Sequence, residues 1–169
     1  MDACRQCGFV YEDLPLTAIP GAIGDFASTY REAFAGSDRL TVTRRIDPAT
    51  WSALEYACHV RDVFLVQRDR VVMAQVLERP QVIPMSRDER VSICRYDSQP
   101  LPDVLDQLAM AVGLCALVFE GLTPTGWARQ LVYNWPTSEV RDVIWVGRNA
   151  VHEGVHHLGD VEAVLAQAR

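Results

Sequence analysis

Three of the four histidines fall within Val151-His152-Glu153-Gly154-Val155-His156-His157-Leu158-Gly159-Asp160. The fourth, His59, lies in Glu55-Tyr56-Ala57-Cys58-His59-Val60-Arg61-Asp62. Imidazole and carboxylate are the common ligands of divalent transition metals. On a helix, residues four apart stack on one side. The later stretch offers two such pairs: His152 with His156, and Glu153 with His157. A metal held inside a helical bundle needs ligands that project inward. Taking Ile144, Val151, Gly154, Val155, Leu158, Val161 and Leu165 as the core face, Glu153 and His157 sit at its margin. His152 and His156 lie on the other side and form the alternative set. With His59 as third ligand, the expected centre is His59, Glu153 and His157. Asp62, one turn beyond His59, is placed to orient an imidazole from behind. Two imidazoles and one carboxylate, completed by water, suit Zn²⁺, Ni²⁺ or Fe²⁺.

A rival reading uses the same letters. His152-Glu153-Gly154-Val155-His156 matches the HExxH protease pattern, with Glu153 as general base and Asp160 or Glu162 as the third ligand. That chemistry usually needs a substrate-binding sheet, and none is evident in the sequence. Cys4-Arg5-Gln6-Cys7-Gly8 has the spacing of half a zinc knuckle, but no second CxxC completes it. Five cysteines, an odd number, do not suggest a disulfide framework. Cys58 and Cys115 read as small buried hydrophobes.

The elements that must carry these residues are helical. Residues 1–16 read as an irregular lead. Ile23, Phe26, Tyr30 and Phe34 predict an amphipathic helix over about 21–35. Leu40–Thr43 could extend briefly. Asp47 is the expected N-cap of a long second helix ending near Glu78, with Leu54, Cys58, Leu65, Val72 and Val76 as its core stripe. Residues 80–100 read as a long excursion, of the kind that is often functional. Pro102 starts a third helix, with Val104, Leu105, Leu108, Val112, Cys115 and Phe119 inward. After a connection over 123–137, a final helix runs from about Thr137 to Ala168. The expected fold is all-α, a four-helix bundle with long connecting loops in a single domain, 1–169.

Length and composition agree with one globular domain. A formal charge of −6 argues against a nucleic-acid surface. No run approaches the ~18 apolar residues of a membrane span. The start, Met-Asp-Ala-Cys, lacks the pattern of a signal peptide, so a cytoplasmic protein is expected. Its partner would be a small molecule; a homodimer is compatible. Arg61 or Arg148 could pair with a substrate carboxylate. Trp127, Tyr133 and Trp135, with the 80–100 segment, could roof the site.

Two motifs together resemble a known family. His59-Val60-Arg61-Asp62 on a long second helix is one, and His157-Leu158-Gly159-Asp160-Val161 on the last helix is the other. In order and spacing they are similar to the DinB/YfiT-like superfamily, from about residue 20 to 168. The resemblance implies a divalent metal held by three histidines, one from the second helix and two at i,i+4 on the last. By position these fall on His59, Glu153 and His157, and Glu153 departs from the usual histidine. The resemblance further implies chemistry of low-molecular-weight thiols such as mycothiol or bacillithiol. The expected activity is then a thiol S-transferase. A metal-dependent hydrolase or a non-catalytic helical binding module is the alternative. Cys4 and Cys7 lie outside the resemblance.

Overall fold

The structure, a computed structural model, describes residues 2–134 and 136–168. Eight α-helices are described among them: α1 (Ile19–Gly24), α2 (Phe26–Ala33), α3 (Arg39–Thr43), α4 (Ala53–Val76), α5 (Arg87–Ile93), α6 (Leu101–Glu120), α7 (Pro124–Trp127) and α8 (Val143–Ala168). Three strands, β1 (Gln81–Val82), β2 (Gln130–Asn134) and β3 (Ser138–Asp142), complete the fold. Helix α4 packs against both α6 and α8, and the α1–α2 pair packs against those two helices from the other side. The core lies between these elements, around Tyr30, Phe64, Leu108 and Phe119.

The all-α expectation is corrected by the sheet. Its order is β1-β2-β3, with β1 parallel to β2 and β2 antiparallel to β3. Thr137-Ser138-Glu139, expected to open the last helix, instead leads into β3. Helix α8 begins only after Asp142, whose carboxylate accepts from the Trp145 backbone N–H at 2.7 Å. Leu40–Thr43, expected to be extended, lies in α3 with Asp38 as its N-cap. The 21–35 segment divides at Asp25 into α1 and α2.

The start of α4 is also shifted. Asp47 closes its own turn, accepting from the N–H groups of Ala49 and Thr50. Ser52 is the N-cap, in a reciprocal box with Glu55. Arg45 then clamps the Glu55 carboxylate with two bonds, of 2.7 and 2.8 Å. This fixes the first turns of α4, two turns of which carry His59 into the core. The expected stripe of α4 fails in its second half. Val72 and Val76 are exposed, whereas Gln67 and Arg70 are buried. Gln67 and Arg70 line a cavity on that side.

The inward face of α6 is the expected one: Val104, Leu105, Leu108, Val112, Cys115 and Phe119 are all buried. By length and composition alone, α6 is the one described helix apolar enough to cross a membrane, a test that the core helix of a globular protein also passes. Here its apolar face forms the contact with α4.

On α8, Val155 is exposed, while Val146, Ala150 and Val164 are buried. The true core face is therefore rotated toward His157. Two glycines set how closely α8 packs. A Cβ on Gly147 would lie 2.9 Å from Ile19 Cγ2, and one on Gly154 would lie 2.5 Å from two Phe26 ring carbons. Tyr30 Oη donates to the Gly154 carbonyl at 3.0 Å across the same contact.

Gly154→Ala should therefore destabilise the metal-free protein by ~1–3 kcal/mol, through overpacking against Phe26. Gly159, exposed on the same helix with nothing near its Cβ position, is the control. Gly159→Ala should stabilise by ~0.5–1 kcal/mol through backbone entropy. Urea unfolding measures both; a gain in both variants would show that the Gly154 contact is not tight.

Candidate metal centre

Helices α4 and α8 bring His59, Glu153 and His157 together. One donor atom from each lies within 4.8 Å of the other two. Glu153 Oε2 is 3.4 Å from His157 Nε2 and 4.0 Å from His59 Nε2. The two imidazoles meet edge to face, with centroids 4.9 Å apart. Trp51 packs on His59 and Tyr56 on His157. Both histidines are buried.

The orientation of His157 comes from its own helix. Its Nδ1 is 2.8 Å from Asp160 Oδ2, so Nε2 turns inward. Asp62, expected to orient an imidazole, is engaged elsewhere. It accepts from Tyr96 Oη at 2.6 Å, from Arg61 at 2.9 Å and from Arg90 at 3.2 Å. His59 Nδ1 is buried without a hydrogen-bond partner among the described residues. The protein therefore fixes the tautomer of His157 but not that of His59.

The charges in the cluster are unequal. Burial alone would lower the His157 pKa, but Asp160 and Glu153 outweigh it and hold the imidazole up at about 9. Burial lowers His59, the nearby His157 charge adds to that, and the pKa falls to about 4. Burial would raise Glu153, but His152, His157 and His59 hold its carboxyl well below the usual range. Before a metal arrives, the arrangement is thus a carboxylate paired with one imidazolium.

His59 and Glu153 form one wall of a cavity of about 280 Å³. Gln67, Arg70, Tyr133 and Asn149 line another part, as do residues 84–89. The polar wall is a connected network. Gln67 Nε2 donates to Asn149 Oδ1 at 2.6 Å and to Tyr133 Oη at 3.1 Å. Arg70 donates to Tyr133 Oη and to the Ile83 carbonyl, each at 2.7 Å.

The expected substrate-binding residues are not at this cavity. Arg61 donates to Asp62, Gln99 and Gln107 on another side of α4. It is two residues from His59, hence about 200° round the helix. Arg148 donates to the Leu14 carbonyl, and Trp127 stacks on Phe119. Tyr133 and part of the 80–100 segment do line the cavity. Trp135 lies outside the described residues. The sequence reading missed Gln67, Arg70 and Asn149. Helical spacing carried a signal for two of them: Arg70 is eleven residues after His59, and Asn149 four before Glu153, each on the face of its ligand.

His152 and His156 are not directed at His59. They sit beside Cys4 and Cys7 on the other flank of α8. The HExxH reading finds no support in this geometry. Glu153 turns its Oε2 to His59 and His157, Asp160 is bonded to His157, and Glu162 is exposed.

Imidazole titration of the metal-free protein by NMR tests the role of Asp160. In Asp160→Ala the His157 pKa should fall from about 9 toward its ordinary 6.5. The stabilisation that this raised pKa represents is complete below about 6.5 and is lost as the pH rises through 9. An unmoved His157 titration in the variant would show that Asp160 does not hold the proton.

The fold has known relatives. YfiT from Bacillus subtilis, described as "a probable metal-dependent hydrolase with an unusual four-helix bundle topology", is similar with a TM-score of 0.80 and 13% identity. The match covers 90% of this chain and 86% of that one. A mycothiol-dependent maleylpyruvate isomerase is similar with a TM-score of 0.66 and 15% identity, over 95% of this chain and 70% of that one. At these identities the likeness concerns the fold. No curated protein sequence matches the chain. A sequence model of the DinB superfamily matches residues 25–161, which contain His59, Glu153 and His157. The chain belongs to the DinB superfamily.

Proposed function

We propose that this protein is a metal-dependent enzyme of small molecules, built on a four-helix bundle, cytoplasmic, and acting as a thiol S-transferase. The observation that carries the reading is the convergence of His59, Glu153 and His157, with His59 and Glu153 lining a cavity. The donor set fits a divalent cation: two imidazoles and a carboxylate lie close enough to share one ion, and Asp160 leaves His157 Nε2 free for it. Zn²⁺, Ni²⁺ and Fe²⁺ all suit these ligands. When bound, the cation would hold a low-molecular-weight thiol as thiolate at neutral pH, making it a nucleophile without a dedicated base.

The remaining residues bind and orient. Arg70, held by Tyr133 and the Ile83 carbonyl, places a cation in the wall of the cavity that Glu153 also lines. An electrophile with an anionic group fits that wall. Residues 84–89 line the same cavity. At about 280 Å³ the cavity suits the reacting ends of thiol and electrophile rather than two whole molecules.

A second reading is hydrolysis. Two histidines and a glutamate are the ligand set of several hydrolytic zinc enzymes, where the ion activates water. Glu153 at a position expected to be histidine is the feature that favours it.

Incubation with a small electrophile and mycothiol, bacillithiol or another cellular thiol separates the two. Conjugate should form faster than without protein, and the gain should vanish with chelator and in His59→Ala. Consumption of the electrophile without thiol would establish hydrolysis instead. No metal-dependent turnover with thiol or water would leave a non-catalytic binding module. Metal affinity gives a check independent of turnover. Binding must displace the proton on His157, so apparent affinity should fall as the pH drops below about 9, by up to ~tenfold per pH unit. Competition with a chelator across pH measures this; a flat profile would remove His157 from the ligand set.

A further inference from the structure

The pair set aside by the first centre has partners of its own. Residues 2–11 form a short hairpin, with a bridge between Ala3 and Val10. Its tip is closed by the Cys4 N–H bonding to the Phe9 carbonyl and the Gly8 N–H to the Cys4 carbonyl, both at 2.9 Å. Gly8 has φ +75°, the left-handed conformation that suits glycine. The turn sets Cys4 and Cys7 side by side against α8, facing His152 and His156. One donor atom from each of the four lies within 4.8 Å of the other three. Cys4 Sγ is 3.7 Å from His156 Nδ1.

The imidazoles are oriented from behind. His152 Nδ1 is 3.1 Å from Tyr11 Oη and 3.6 Å from Glu153 Oε1. Its Nε2 is buried and has no hydrogen-bond partner among the described residues. His156 Nε2 is 3.7 Å from Asp160 Oδ2, which leaves Nδ1 toward Cys4. Carboxylate or hydroxyl behind the ring is the usual support of a metal-bound histidine.

We propose that Cys4, Cys7, His152 and His156 form a second metal centre, a closed tetrahedral Zn²⁺ site that fastens the N-terminal hairpin to α8. Two thiolates and two imidazoles complete four-coordination and leave no open position, so the site is structural rather than catalytic. Both thiols lose their protons on binding, and two thiolates balance the charge of the ion. A disulfide would need neither histidine, and both cysteines are free. A ten-residue hairpin has little core of its own, which is where a metal staple contributes most. The centre shares no ligand with His59, Glu153 and His157.

The test uses tag-free, reduced, full-length protein loaded with Co²⁺ in place of Zn²⁺. The wild type should show a thiolate-to-cobalt charge-transfer band and the visible bands of tetrahedral cobalt. The charge-transfer band should be lost in Cys4→Ser/Cys7→Ser and weakened or shifted in His152→Ala and in His156→Ala. It should persist in His59→Ala, which separates this proposal from the function proposed above. A thiol-blocking mercurial should release about one Zn²⁺ per chain from wild type and His59→Ala, but not from the double serine variant. Limited proteolysis should cut the hairpin of that variant faster while its helicity stays near wild type. Folded, reduced wild type without a thiolate-to-cobalt band would overturn the proposal, and this readout needs no variant. A band that survives the double serine variant, or that neither histidine variant alters, would overturn it equally.

Discussion

A carboxylate turned toward the inside of a helical core must be met by groups that can neutralise it. Glu153 is that carboxylate, and much of the structure serves to surround it. His157 reaches it from the next turn of α8, and His59 from α4. His59 is carried there by a helix whose start is fixed by Ser52, Glu55 and Arg45. Asp160 holds the proton on the far side of His157 and so keeps that ring facing inward. Without a metal the cluster is an ion pair beside a neutral imidazole. With one bound, the same three groups would be its ligands, and the proton on His157 would have to leave.

The two proposed centres lie back to back on one helix. Glu153 has one oxygen near His59 and His157, and the other near His152. Asp160 approaches both His157 and His156 through the same oxygen. A further chain of contacts runs from the cavity to the hairpin. Gln67 donates to Asn149, Asn149 to Tyr11 Oη, and Tyr11 Oη lies against His152. The wall of the cavity and the placement of the N-terminal hairpin therefore rest on a common set of hydrogen bonds. Networks of this kind strengthen when complete and are costly when one member is removed.

The helices and the clustering of His59, Glu153 and His157 were legible because apolar periodicity and i,i+4 spacing are local properties of the chain. His59, Glu153 and His157 do converge, and α6 buries the face its pattern predicted. What was not legible depended on contacts far apart in sequence. Gln67 and Arg70 look like surface residues of α4 until the cavity between α4, β2 and α8 is known. Strands β1 and β2 are short and separated by α5–α7, so no hairpin signal announced them. Asp62 was assigned to an imidazole by spacing alone, and Tyr96, Arg61 and Arg90 outcompete that role. Cys4 and Cys7 read as half a site because the missing half was sought as a second CxxC. It stood instead in the histidine pair that helical phase had turned away from the core.

Gly147 and Gly154 lie seven residues apart, two turns along the seam where α8 meets Ile19, Phe119 and Phe26. Neither position has room for a side chain, so the helix can sit in only one register. This limits how such a sequence can evolve. Losing or gaining one residue within the helix turns everything beyond it by about 100° and would carry both ligand pairs out of place. Change of chemistry at the inner centre must therefore come by replacing donors in place. The genetic code offers such a route from Glu153 to histidine by single-nucleotide steps, through either Gln or Asp. Both intermediates keep an oxygen donor at the centre, so a lineage can move between a glutamate-bearing and an all-histidine ligand set while retaining three donors throughout.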